Sequence, residues 1–195
     1  MDQAGYFRSH PPRCITGFNA QPTELPDVQF DGHASASQVN INVPGVKIEG
    51  PEHVNPVFAL SCSCGADRHY VRGYQWTNPD FNNARVLLSP LTLECVSCGK
   101  VTDLLDTEIH GYDAELGAGS ATVRAEGEKV VYECDQCGRQ AFEVYVRFEY
   151  PDDLFFEGEF EDFAGHEQDL FTWFSLVGKC PQCSRLLAVA DYECA

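Results

Sequence analysis

The sequence predicts a mostly β fold, built of antiparallel hairpins that carry two four-cysteine units in tandem behind an irregular proline-rich arm. Three observations lead there. Short runs in which apolar and polar residues alternate recur from residue 57 onward, the period-2 signature of half-buried strands. Eight of the ten cysteines fall in four close pairs set between such runs. Seven of the eleven prolines crowd the first part of the chain, between Pro11 and Pro56.

The arm spans residues 1–55. Val39, Ile41 and Val43 alternate with Asn40 and Asn42, which predicts a short edge strand ending at Pro44. Its proline density argues against helix throughout. The remainder reads as an internal duplication, with one unit over 56–120 and another over 121–195. In each, a strand runs into a cysteine pair: Val57 to Cys62 in the first, Val130 to Cys134 in the second. An alternating strand follows, His69 to Trp76 and Ala141 to Tyr150. The latter places Phe142, Val144, Val146, Phe148 and Tyr150 on one face. A return strand enters the second pair, Leu91 to Cys95 and Leu176 to Cys180, and another leaves it, Val101 to Asp106 and Leu186 to Tyr192.

The pairs are Cys62/Cys64, Cys95/Cys98, Cys134/Cys137 and Cys180/Cys183. Two cysteines separated by two residues can turn both sulfurs toward one point on a tight knuckle, and two knuckles complete a tetrahedral metal site. Gly65, Gly99 and Gly138 follow directly, where a positive φ suits glycine. The side chains of Lys100, Arg139 and Arg185, two positions after a cysteine, are suited to offset negative charge. The last pair has Ser184 instead of glycine, and the first has a single residue between its cysteines. The matching order of strands in the two halves favours sequential pairing: Cys62, Cys64, Cys95 and Cys98 in one site, Cys134, Cys137, Cys180 and Cys183 in the other. A cross-brace is the alternative.

Disulfides would use the same residues, but Met1 to Arg13 lacks the apolar core of a secretory signal, so a reducing cytoplasm is expected. Four pairs exceed what a thiol oxidoreductase needs. These knuckles and their flanking strands resemble zinc ribbons, and the resemblance covers about half of the chain. It implies two structural zinc ions that hold the fold while function lies on the surface. Cys134-x-x-Cys137-Gly with Cys180-Pro-x-Cys183 also resembles the knuckles of rubredoxins, which implies iron in one site and electron transfer as the alternative. Cys14 and Cys194 have no close partner in sequence and are read as free thiols.

Composition bounds the function. The chain of 195 residues is 44% apolar and 12% aromatic, ordinary for a folded protein, and no run of 18 apolar residues suggests a membrane span. The formal charge of −17 opposes direct binding to nucleic acid or anionic lipid. Among six histidines none stands at the spacing of a catalytic metal motif, and four cysteines per site leave no open coordination position. His110, Asp113 and Glu115 form the most suggestive polar run, a turn by the ordinary reading and an acid/base surface by the alternative. The aromatics from Phe160 to Phe174 predict a short helix over 166–174, and they read first as core. Phe156, Glu159, Phe160, Glu161, Asp162 and Phe163 are the candidates for a partner-binding surface. The sequence therefore predicts a non-enzymatic, zinc-stabilised acidic protein that binds a protein with a basic surface, one version being an inhibitor or immunity-type module.

Overall fold

The computed structural model describes residues 3–24, 55–78, 84–118, 125–150 and 163–194. Its strands are β1 (Asn19–Thr23), β2 (Val57–Ser61), β3 (Arg68–Asn78), β4 (Ala84–Cys95), β5 (Val101–Leu105), β6 (Val130–Val131), β7 (Ala141–Glu149), β8 (Trp173–Lys179) and β9 (Leu186–Glu193). Two short helices, α1 (Gln3–Ser9) and α2 (Tyr112–Glu115), and 3-10 turns at Arg13–Ile15 and Glu167–Asp169 complete the described elements. The fold is mostly β, and the nine strands among the described residues form one antiparallel sheet, curled so that β4 comes against β9.

β7 organises the sheet because its alternation is complete. Phe142, Val144, Val146 and Phe148 are buried, while Glu143, Tyr145 and Arg147 between them stay partly exposed. Along one edge β7 pairs with β8, from Glu143 opposite Lys179 to Glu149 opposite Trp173. Along its other edge stand two strands end to end: β3 opposite residues 141–143 and β2 opposite residues 144–147. The first cysteine knuckle projects from the break between them. Strands from both halves of the sequence thus share one ladder. The long β3–β4 hairpin shifts register between Arg72 and Tyr74. Gly73 sits at that bulge, where an added Cβ would meet Leu91 Cδ2 at 2.6 Å and Leu87 Cβ at 2.9 Å.

The structure corrects two expectations. Prolines do not keep the arm free of helix: α1 lies ahead of Pro11 and Pro12, where nothing blocks i→i+4 bonding, and the N–H of His10 still donates to Tyr6 O at 2.9 Å. Phe7 is fully buried and stacks on Tyr150 with ring centroids 3.7 Å apart, which seats the helix on the core. Nor is there a helix over 166–174. A 3-10 turn ends at Asp169, and the chain then extends into β8. Thr172 N–H donates sideways to Glu149 O at 2.8 Å, and Thr172 O accepts from Cys194 N–H at 2.7 Å. The backbone bonds are made across strands, so the apolar spacing reflects burial on both faces of β8.

The strand expected at Val39–Val43 lies outside the described residues. Among the described residues no helix is long and apolar enough to cross a membrane.

Candidate metal centres

Three of the four knuckles repeat one set of bonds. In the second, Cys95 N–H donates to Lys100 O at 2.9 Å and Gly99 N–H returns to Cys95 O at 2.9 Å. Cys134 pairs the same way with Arg139 and Gly138, and Cys180 with Arg185 and Ser184. The first knuckle is one residue tighter: Cys62 N–H donates to Ala66 O, and Gly65 N–H to Cys62 O, both at 2.8 Å. Every knuckle turns through a left-handed residue, Gly65, Gly99, Gly138 and, at φ 59°, Ser184, among the described residues the one non-glycine with positive φ.

These turns aim backbone N–H groups at sulfur. The amides of Lys100 and Arg139 point at Cys98 and Cys137 and favour their thiolates. Burial disfavours the Cys183 thiolate first, with the Arg185 amide opposing it. The sequence assigned Lys100, Arg139 and Arg185 a role through their side chains, and their backbones do the nearer work. The side chains reach further out: Lys100 Nζ donates to Ser63 Oγ at 3.3 Å, and Arg185 to Asp135 at 3.4 Å.

The sheet brings the knuckles together in sequential pairs. Cys62, Cys64, Cys95 and Cys98 form one group, and Cys134, Cys137, Cys180 and Cys183 the other, with all four sulfurs of each group within 4.8 Å of one another. Cys62 and Cys98 sulfurs are 3.7 Å apart, as are Cys64 and Cys95; the Cys134–Cys183 and Cys137–Cys180 distances are 3.6 and 3.5 Å. A tetrahedron with metal–sulfur bonds of about 2.3 Å has edges of about 3.8 Å, so each group has the dimensions of a metal site. The thiols themselves argue the same way. The Cys64 amide and neighbouring thiols draw Cys62 down to about 6, whereas Cys98, despite the Lys100 amide, is pushed up to about 11 by the thiols it shares protons with. In the second group Cys180 is drawn down to about 7 by amides and thiols that outweigh its burial, and Cys137 is pushed up to about 12. Sulfurs this close repel one another as thiolates, and a bound cation would offset that repulsion. Both groups can hold a metal ion.

They differ in setting. Cys134 and Cys180 belong to the main hydrophobic core and Cys183 packs on it, leaving Cys137 exposed. In the first group Cys62 and Cys95 are buried, but Cys64 and Cys98 are both exposed.

Beside the first group lies His69, opposite Cys95 on β4 and edge-to-face with Phe18. It is 1% exposed, and among the described residues neither ring nitrogen has a hydrogen-bond partner. Burial lowers its pKa below the ordinary histidine value, with Asp67 opposing. A folded-state pKa held below the unfolded one gives stability that is complete above about pH 6.5 and lost as pH falls through that value toward the folded one. His69→Leu is therefore expected to stabilise the metal-loaded protein by about 1 kcal/mol at pH 7.5, since an apolar group replaces an unsatisfied one. The gain should widen between pH 7.5 and pH 6, read from denaturant midpoints. A loss of stability at both values would refute the argument.

His110 sits just before α2 and accepts the Asp106 N–H at Nδ1, 3.0 Å away; burial lowers its pKa, with Asp106 and Asp169 opposing. Asp113 N–H donates to Cys194 O at 3.0 Å, and Glu115 pairs with Arg13. Arg13 also binds buried Asp169, Nε to Oδ2 at 2.7 Å and N–H to Oδ1 at 2.7 Å. His110, Asp113 and Glu115 thus join the seam where the N-terminal segment meets α2 and the C-terminal strand. Cys14 and Cys194 are both buried, and burial pushes the Cys194 thiol up to about 12. Phe163 packs against the core, while Phe156, Glu159, Phe160, Glu161 and Asp162 lie outside the described residues. Asp169 was not singled out in sequence; its partner stands 156 residues away. No protein-family model, no curated protein and no solved structure matches this chain.

Proposed function

We propose that this chain is a non-enzymatic, zinc-stabilised scaffold, with one zinc ion in each four-cysteine group, that binds a protein partner of basic surface through its acidic exterior. The observation that carries the reading is the pair of four-sulfur groups of tetrahedral dimensions. A tetrahedral ion in either would have all its positions filled by protein, leaving none for water or substrate, which is how structural sites differ from catalytic ones. Zinc is preferred because four thiolates in a tetrahedron suit it, iron being the other metal that such a set takes. The formal charge of −17 supports a partner of opposite sign, since charge complementarity speeds encounter and excludes like-charged competitors. An inhibitor or immunity-type module, which would occupy the basic site of another protein, is one form of this function.

Elemental analysis of colourless protein, purified without added metal, is expected to give about two zinc atoms per chain. Iron with a coloured thiolate spectrum would replace this reading with electron transfer. The partner arm is tested by retention of basic proteins on the immobilised chain. Binding that weakens steeply from low to physiological salt supports it, and no retention at low salt removes it.

A further inference from the structure

We propose that the first four-cysteine centre is an oxidation-sensitive latch, which a two-electron oxidant such as hydrogen peroxide opens by forming disulfides across the two knuckles, while the second centre keeps its metal. The proposal rests on the metal-bound reading above and adds a regulation to it.

The two centres share ligand chemistry and differ in access. The first exposes Cys64 and Cys98, one sulfur from each knuckle, and each lies 3.7 Å from a buried sulfur of the opposite knuckle: Cys98 from Cys62, Cys64 from Cys95. Every exposed sulfur there has a resolving partner at contact distance, which is the arrangement that carries a sulfenic acid on to a disulfide. The second centre exposes Cys137 alone, and its Cys134 and Cys180 are set in the hydrophobic core. Moving those sulfurs into a disulfide would disturb the packing around β7 and β8.

The chemistry balances without a further reactant. Peroxide transfers one oxygen to the Cys98 thiolate and leaves as hydroxide. The Cys62 thiolate then attacks the Cys98 sulfur, the S–S bond forms and the S–O bond breaks, expelling a second hydroxide. Two protons from solvent convert both hydroxides to water. The two sulfurs have lost two electrons to the O–O bond. The cation, left with Cys64 and Cys95 alone, dissociates. The same sequence at Cys64 and Cys95 consumes a second equivalent. The first knuckle sits in the break between β2 and β3, and the second closes the β4–β5 turn, so the latch joins these two points of the sheet.

The test uses the full chain, its metal content first fixed by elemental analysis, so that absence of metal is recognised as failure of the function reading before any oxidant is added. Metal release under hydrogen peroxide is followed with a chromogenic chelator, and disulfides are mapped by non-reducing peptide mass analysis. One metal per chain is expected to leave at least about tenfold faster than the other, following the exposure of its thiolates. That release should coincide with Cys62–Cys98 or Cys64–Cys95 peptides, and a dithiol reductant with added zinc should restore it. Release of both metals at one rate, release from the second centre first, or bridges confined within single knuckles would overturn the proposal.

Discussion

Cys180→Ser is expected to unfold the whole sheet, whereas Cys64→Ser is expected to leave it folded with one metal per chain. Both substitutions remove a ligand, and a structural zinc site contributes an apparent binding free energy of about 10–16 kcal/mol in isolated peptides. A domain's net stability of about 5–15 kcal/mol cannot absorb such a loss where the site is part of the core. Cys180 is fully buried, and it follows directly on β8, the strand that β7 pairs with along seven positions. Its N–H and that of Cys134 close the knuckles onto Arg185 and Arg139 at the ends of the ladder. Cys64 is exposed, in a knuckle that leaves the sheet between two strands already held by β7, and β3 is held again by β4 from His69 to Asn78. Near-ultraviolet circular dichroism, read beside zinc stoichiometry, separates the two outcomes. A Cys180→Ser protein that retains the wild-type aromatic signal would show that the core does not depend on its metal.

The knuckles were legible in the sequence because their information is local. Two cysteines, a residue suited to positive φ and a flanking strand occupy about ten residues, and every bond of the turn is made within them. Their sequential grouping was legible too, through the matching strand order in the two halves. The strand at residues 141–149 declared itself because one of its faces is buried and the other is not. β8 did not, for the opposite reason. Residues Phe174 to Gly178 are buried on both faces, so the alternation that marks a strand is absent, and Leu170, Phe171 and Phe174 fall at a spacing that imitates a helix. The seam of Arg13 with Asp169 and of Tyr6 with Glu167, whose oxygens are 2.7 Å apart, joins residues more than 150 positions distant. Nothing near Arg13 in sequence announces a buried carboxylate. Likewise His69 reads as a polar residue in an alternating strand, and only the packing of Phe18 from the N-terminal segment reveals that its imidazole is enclosed.

Phe148→Ala is expected to lower stability by about 3–5 kcal/mol, the range for deleting a buried aromatic ring. It should do so in a single transition. Phe148 is fully buried, and three rings meet it edge-on: Phe58 of β2 at 6.2 Å, Phe171 at 4.9 Å and Phe174 of β8 at 5.6 Å between centroids. Such pairs add about 0.5–1.5 kcal/mol each beyond the area they bury, and no neighbour can swing into the space without leaving its own contacts. Phe58 comes from the first half of the sequence and the other rings from the second. A cavity at Phe148 therefore weakens both halves at once. If each half were a unit stable by itself, calorimetry would show two transitions, with Phe148→Ala moving chiefly the second. In the sheet as built, β1 and β2 join β3, β4 and β5 only through β7, which lies between β2 and β3. The calorimetric trace of the metal-loaded protein should accordingly contain one peak, displaced to lower temperature as a whole in Phe148→Ala. Phe148→Leu, which keeps most of the volume, should displace it by less than half as much. Two resolved peaks of which only one shifts would mean that the shared ladder does not couple the halves.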